Sequence, residues 1–507
     1  MKIAITGVTG NMGQAVFAAL ENENYIEKIV LLAHNKKKLK KLLNKHKKLR
    51  GKTQVVEGNF NDKDVCANLI KDCDIVLNMA AVIPPKSDAS PKNAEVCNQL
   101  GTYALVSAIE ESQNQPKLIH ISTVALYGNR TAPHPFARVG DPLVVSPFDI
   151  YSATKLRAEF RVLESGIKTW AVLRQTAMLH PNMLTDNLHS GLMFHTCYDA
   201  PLEWVTAHDS GLLIRNLLSK EAANELPESF WKKCYNIAGG AINRSYGIDS
   251  LNGGLALIGG NAKQFFNAGD NAIRNFHGVW YSDGNILNDL FNFQTQSIAD
   301  YWKEIKRNHK IYAAGKIVPK SLIRHFAIKP LLKDPIAPAF WAKNNEAHII
   351  AFFGERAEYE KLQQKSWDDV IIPALPALDA IPENETPLFY GYDFGKRDED
   401  IDLADLKAVA QAHGGKLITD NFVKGDIYTK LEWETQDGER FIASPYTVLR
   451  AGHWHNPVYD GYVWDFDRLC KKDRIFASVW YDSHKENENM RYYCDENFTG
   501  YAEKLQK

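Results

Sequence analysis

Tyr151 and Lys155 stand four residues apart in the stretch Tyr-Ser-Ala-Thr-Lys. On a helix that spacing puts both side chains on one face. An ammonium beside a phenol favours the phenolate, so the pair predicts a Tyr151 whose pKa falls from its usual ~10 toward working pH. Such a tyrosine is a general acid or base for an oxygen that gains or loses a proton during hydride transfer. The same spacing is common on surface helices, where the ring is half-buried and the lysine solvated. What the pair does therefore depends on the elements placed around it.

The chain opens on a short apolar run, residues 2–6, followed by Gly7, Gly10 and Gly13 and an amphipathic stretch over 14–20. A glycine turn between strand and helix lets the backbone approach a pyrophosphate, whose charge is met by amide groups at the helix N-terminus. Gly7, Thr9, Gly10, Asn11, Met12 and Gly13 are accordingly read as dinucleotide-binding. A second strand, 28–33, is expected to end beside the adenosine ribose. A fold that prefers NAD presents Asp or Glu there, whereas this chain has His34, Asn35 and Lys36. The missing carboxylate and the local positive charge point to a 2′-phosphate and so to NADP, with NAD as second choice. The longer basic run, 36–50, interleaves leucines at helical spacing and reads as a solvated helix face. Apolar strands over 55–59 and 75–81 continue the strand–helix alternation. Ala80 and Ala81, after Asn78, suit a loop that passes close to the cofactor. A helix over 91–111 carries Asn98, and 118–123 is a further strand.

Six motifs in order resemble the extended short-chain dehydrogenase/reductase family: Thr6-Gly-x-x-Gly-x-x-Gly13, Asn78-Met-Ala-Ala81, Asn98-x-x-Gly-Thr102, Ser122-Thr-Val-Ala-Leu-Tyr-Gly128, Gly140-Asp-Pro142 and Tyr151-x-x-x-Lys155. The resemblance covers residues 1 to about 300 and implies an α/β fold, a Rossmann-type doubly wound parallel sheet with a substrate lobe. It implies Tyr151 as proton donor or acceptor, Thr123 as the hydroxyl that orients the substrate oxygen, with Ser122 the lesser candidate, and Lys155 on nicotinamide ribose and phenol. Asn98 then supports a water or backbone relay, Asn78 and Asn98 border the cofactor, and Arg174 lies in the segment beside nicotinamide and substrate. A homodimer through 91–111 and 151–165 also follows from the resemblance, unless the large second half blocks or replaces that contact.

Dehydratases of the family carry an Asp-Glu pair directly after the active-site threonine. Here Val124 and Ala125 follow Thr123 and can move no proton, which disfavours dehydration. Epimerases normally keep the ribose-binding carboxylate that this chain lacks. The reading is thus an NADP-preferring oxidoreductase acting on a carbonyl or secondary alcohol of a small, fairly apolar molecule. An epimerase of a sugar-like substrate and an NADP-binding sensor or scaffold without turnover are the alternatives. Met178, Phe194, Phe265, Phe266, Phe276, Trp280 and Tyr281 are among the candidates for an apolar substrate wall. Glu159, four residues past Lys155, reads as a surface partner of that lysine. Asp209 reads as the cap of the helix that follows it.

With 507 residues, 45% hydrophobic and 24% charged, and a net charge of -1, the composition is that of a globular chain with no overall pull toward nucleic acid or membrane. Any basic patch must be local. The seven cysteines form no paired framework, no apolar run is long enough to span a bilayer, and the first residues enter a strand at once, leaving no room for a signal peptide. A cytoplasmic location is the expectation. The chain divides as 1–330 (a nucleotide-binding core over 1–175 and a substrate lobe over 176–330), a basic, proline-punctuated linker over 331–345, and a C-terminal α+β domain over 346–507. In that domain a helix over 403–413 ended by Gly414 and a hairpin around Asp437-Gly438 are legible. Residues 414–457 faintly resemble a zinc ribbon with Thr435 and His455 where cysteines would stand, so no metal is expected.

Overall fold

The computed structural model describes residues 1–183, 190–375 and 388–494. Most of the proline-rich connector that the sequence suggests over 373–387, and residues 184–189 of the substrate lobe, lie outside them. Seven parallel strands make the central sheet: β1 (Lys2–Thr6), β2 (Lys28–Ala33), β3 (Thr53–Glu57), β4 (Ile75–Asn78), β5 (Lys117–Thr123), β6 (Trp170–Gln175) and β7 (Lys233–Ile237). Their spatial order is β7-β6-β5-β4-β1-β2-β3, so the order reverses between β1 and β4, where such a sheet offers a crevice to a ligand. Ile3, Ile5, Leu31, Leu77 and Leu173 line one face of the sheet and Ala4, Val30, Val76 and Val172 the other. Both faces are buried, which is why these strands read as unbroken apolar runs.

The first face is covered by α1 (Asn11–Ala19) and α6 (Ala207–Ala222), and the second by α3 (Lys63–Ile70), α4 (Gly101–Glu111) and α5 (Ile150–Leu163). The basic run forms α2 (Lys36–Lys45), with Leu39 and Leu42 buried and its lysines outward, as the leucine spacing anticipates. Thr206, not Asp209, caps α6; Asp209 is buried at its third position and accepts from the Thr295 hydroxyl and the Thr295 and Gln296 N–H groups.

Among the described residues the substrate lobe holds five short strands outside the central sheet, and α7 (Ile298–Asn308) is one of its helices. Phe194, Phe265, Phe266, Trp280 and Tyr281 are interior side chains of the lobe rather than a free wall. Trp280 packs edge-on to Phe136, and the Tyr281 hydroxyl donates to Thr176 Oγ1 at 2.8 Å.

Residues 331–345 are packed against the lobe: Pro338 and Trp341 are buried, Trp341 packs edge-on to His195, and His195 Nε2 hydrogen-bonds the Ile336 carbonyl. Farther on, α8 (Leu403–Ala412) ends before Gly414 at φ +73°, and β8 (Lys416–Leu417), β9 (Leu431–Glu434) and β10 (Arg440–Ala443) form an antiparallel sheet with Gly438 at φ +83° in its hairpin. One hydrophobic core runs through Leu118, Ile150 and Trp170 of the first half and Trp433, Trp454 and Trp464 of the second. The C-terminal segment is thus seated on the second face of the central sheet, against α5.

Candidate active site

The turn after β1 is shaped by its own steric demands. Gly7 has φ +73°, a Cβ there would stand 2.6 Å from the Ala80 nitrogen, and a Cβ on Gly13 would stand 2.3 Å from the Gly7 carbonyl oxygen. Gly10 precedes α1 without a side-chain hydrogen bond to it, and no acidic residue lies in the first turn of α1. The first N–H groups of this nine-residue helix therefore lack a side-chain cap beside the exposed Gly10. That combination fits a pyrophosphate. Asn11 Nδ2 lies 3.2 Å from His180 Nε2, tying the turn to the substrate lobe.

A chain of buried polar groups runs inward from this turn. Thr6 Oγ1 donates to Asn78 Oδ1 at 2.7 Å and accepts the Met79 and Ala80 N–H groups, both at 3.1 Å. Asn78 Nδ2 reaches Thr102 Oγ1 at 3.3 Å and His120 Nδ1 at 3.0 Å. The Asn78 amide is consequently spent inside the protein and does not face the cofactor crevice. Its work is to shape the 79–81 loop, which leaves Ala80 half-exposed and Ala81 exposed beside the glycine turn.

Asp149 caps α5 through the Ser152 N–H at 2.9 Å. Nearly every side of α5 is buried, so its polar residues each need a partner. The Tyr151 phenol lies within the field of the Thr123 hydroxyl, and Thr123 Oγ1 accepts from the Ala125 N–H at 3.2 Å. Lys155 Nζ donates to the Ile121 carbonyl at 2.6 Å and lies 3.4 Å from His120 Nε2. Burial pushes the Tyr151 phenol up to about 12, the nearby Thr123 hydroxyl only partly opposing it, and burial pulls Lys155 down to about 8 against the field of Glu159. The depressed phenol expected from the sequence is therefore not found: the ammonium is held by a backbone carbonyl, and the phenol loses water without gaining a charge partner. Burial, and then the Lys155 charge, hold His120 well below its ordinary value and keep it neutral.

Asn98 lies in a π-helical turn, Glu95–Leu100. It accepts from the Val82 N–H at 2.7 Å and donates to the Val82 carbonyl and Thr154 Oγ1, both at 3.0 Å. It thereby fastens the loop after β4 to α5.

Glu159 overturns its surface reading. It is fully buried, salt-bridged to Arg174 through Nε at 3.1 Å and through Nη2, and it accepts from the Ser122 hydroxyl. His453 Nε2, from the C-terminal segment, is 3.0 Å away. Burial alone would raise this carboxyl, but Arg174 and then His453 hold it well below the usual carboxylate range. The neighbouring hydroxyls are thereby separated: Ser122 is spent on Glu159, whereas Thr123 sits on the Tyr151 side. Arg174 is also corrected: besides Glu159 it donates to the Tyr127 hydroxyl at 2.8 Å and the Ala451 carbonyl at 2.7 Å, which leaves its guanidinium inside the protein and off the cofactor. Glu159 is i+4 from Lys155, so the spacing was in the sequence; the burial that decides its role was not. Nothing in local sequence marks His453.

Beside Tyr151 the site has an acidic rim that the sequence reading missed. His277 Nδ1 is 3.1 Å from Asp149 Oδ2, and Asp88 lies within the field of both. Burial, then the Asp149 charge, pushes Asp88 up to about 7. At the ribose end, Asn35 caps α2 through the Lys38 N–H, His34 is exposed, and Lys36 pairs with Glu57 at 2.7 Å. Glu57 ends β3 opposite Ala33, so a carboxylate does reach this corner from the neighbouring strand. In the ribbon-like stretch Thr435 Oγ1 accepts the Asp437 and Glu439 N–H groups, at 3.3 and 3.2 Å, and His455 pairs with Asp460 at 2.8 Å. That is hairpin structure, and the likeness to a zinc ribbon gains no support.

Residues 3–166 match the NAD dependent epimerase/dehydratase family. The matched stretch takes in the glycine turn, Asn98, Thr123, Tyr151 and Lys155 and ends just past α5. Among solved structures, dTDP-glucose 4,6-dehydratase from Bacillus anthracis in complex with NAD is similar at 17% identity over 62% of this chain and 98% of its own, with a TM-score of 0.45. UDP-glucuronic acid 4-epimerase from Bacillus cereus in complex with NAD is similar at 20% identity over 61% of this chain and 100% of its own, also with a TM-score of 0.45. No curated protein matches. Among the described residues, no helix is long and apolar enough to cross a membrane.

Proposed function

We propose that the protein is an NAD(P)-dependent oxidoreductase that reduces a carbonyl, or oxidises a secondary alcohol, of a small and fairly apolar molecule. The observation that carries this reading is the buried Lys155 one turn from Tyr151, with Thr123 beside the phenol at the end of β5, in a stretch that matches the NAD dependent epimerase/dehydratase family. The glycine turn and the uncapped start of α1 would hold the pyrophosphate, and Lys155 would exchange the Ile121 carbonyl for the nicotinamide ribose. When bound, the nicotinamide gives or accepts the hydride. Thr123 orients the substrate oxygen. Tyr151, pushed up to about 12, stays protonated at neutral pH and is therefore set to donate its proton to that oxygen in the direction of reduction. Val124 and Ala125 are buried and aprotic after Thr123, which supports reduction over elimination of water.

NADP is the proposed preference, through His34, Asn35 and Lys36, with Glu57 as the competing carboxylate. A second reading, redox-neutral epimerisation with retained NAD, is favoured by the family match and by that same carboxylate. Titrating the purified protein with NADPH and NADH, followed by a carbonyl panel, tests both. Turnover of a ketone or aldehyde that is lost in Tyr151→Phe supports the reductase. NAD that co-purifies, with no net oxidation of any substrate, supports the epimerase. Cofactor binding without turnover, unchanged in Tyr151→Phe, would leave a sensor or scaffold.

A further inference from the structure

The substrate lobe carries a surface that its own fold does not use. Between residues 303 and 333 the chain has nine lysines and arginines and one acid, Glu304. Within that stretch Ile311, Ile317 and Phe326 are 79%, 87% and 73% exposed, and Val318 and Leu322 are exposed as well. The segment is anchored from beneath by Ile323 and Ile328, which are buried in the lobe's core with Phe265 and Phe266. Its outward apolar residues are thus surplus to that core. Beside them lies a cleft of about 330 Å³ that includes Trp302 and Tyr312 in its lining and carries Lys306, Lys310 and Lys316.

Isolated exposed apolar residues are ordinary on protein surfaces. Five within sixteen residues, interleaved with unbalanced positive charge, are the pattern of a segment that lies in a membrane interface, apolar side chains among the acyl chains and ammonium groups among anionic headgroups. A protein partner would also accept the apolar groups, but although Lys303 pairs with Asp300 and Arg324 lies in the field of Asp270, Lys306, Arg307, Lys310, Lys316 and Lys320 have no ion pair among the described residues, and that cluster selects a polyanionic plane. We propose that residues 303–333 dock the protein peripherally on an anionic lipid bilayer, with Ile311, Ile317 and Phe326 inserting and the lysines around them pairing with headgroups. The whole-chain charge of -1 conceals this, because the acids that balance it lie elsewhere.

The test is flotation of the full chain with vesicles of phosphatidylcholine alone and of phosphatidylcholine mixed with phosphatidylglycerol, at low and high salt. Binding is expected to the mixed vesicles and to weaken at least about tenfold on plain phosphatidylcholine or at high salt. Ile317→Ser with Phe326→Ser, and separately Lys310→Glu with Lys316→Glu, should each weaken it by a similar factor while thermal unfolding stays put, since all four side chains face solvent. Absence of binding to mixed vesicles, or binding that neither pair of substitutions alters, overturns the proposal. So does a dimer in light scattering that Ile317→Ser with Phe326→Ser dissociates in a protein that ignores vesicles, which would assign the face to a second copy.

Discussion

Lys155 and Glu159 sit one turn apart on α5, both buried and both ionic, and they are satisfied in opposite ways. Lys155 has one short bond to a carbonyl and a 3.4 Å contact to a neutral histidine, with no carboxylate in hydrogen-bonding reach among the described residues. Glu159 has a guanidinium, a hydroxyl and an imidazole. An under-partnered cation can exchange ligands at little cost, whereas a carboxylate with three donors is fixed. On the proposed reading Lys155 must release the Ile121 carbonyl to take a ribose, while Glu159 keeps β5, β6, α5 and the 451–453 loop in register beneath it. The cluster that meets the ligand comes from the family-matched residues, and the cluster that holds the frame borrows from outside them.

Breaking the fixed cluster should have the largest effect. Glu159→Ala leaves the Arg174 guanidinium buried without its carboxylate and should cost about 3–5 kcal/mol in denaturant unfolding at neutral pH. A cost under about 1 kcal/mol would mean that the two clusters do not differ in rigidity. At the exchangeable site the effect should fall on rate alone: Tyr151→Phe should lower kcat by about 10²-fold or more, with the melting temperature and cofactor affinity kept. His453→Phe removes only the C-terminal member of the fixed cluster and should cost about 1–3 kcal/mol. Its effect should not add to that of Glu159→Ala in the double variant if the two residues act as one unit.

The pH dependence sharpens the contrast further. Lys155, drawn down to about 8 by burial, is charged below that pH and neutral above it, so kcat/KM should fall as pH rises through about 8. Glu159 raises that value, so Glu159→Gln should move the fall to lower pH. The stability that Glu159 contributes is complete above its unfolded pKa of about 4.3 and is lost as pH drops below it toward the depressed folded value. The smallest effect belongs to the exposed Lys36–Glu57 pair. Lys36→Gln should change stability by less than about 1 kcal/mol yet reduce the preference for NADPH over NADH, measured as a ratio of dissociation constants.

Much of the first half was legible because its signals are local. Glycines at 7, 10 and 13, apolar strands and the Tyr151–Lys155 spacing each act over a few residues, and the sheet follows from the alternation. The hairpin at Asp437-Gly438 and the stop at Gly414 were legible for the same reason, a backbone angle that glycine supplies. What was not legible depends on contacts far apart in the chain. The surface reading of Glu159 failed because the spacing gives its direction but not the element that covers it. The motifs of Arg174 and Asn78 border the cofactor, but strand alternation turns both side chains into the protein. The end of β2 carries no carboxylate of its own, and Glu57 arrives from the next strand.

The same long reach has a consequence for the order in which the chain is made. Glu159 and His453 are 294 residues apart, so at ~5–20 residues per second the ribosome needs roughly 15–60 s to deliver the second after the first. During that interval the nascent sheet and α5 exist without their cover: Phe160 lacks Tyr459, and Arg157 lacks the Val458 carbonyl and the Tyr462 ring. The newborn first half therefore exposes this face of α5 until the residues through Tyr462 have been made.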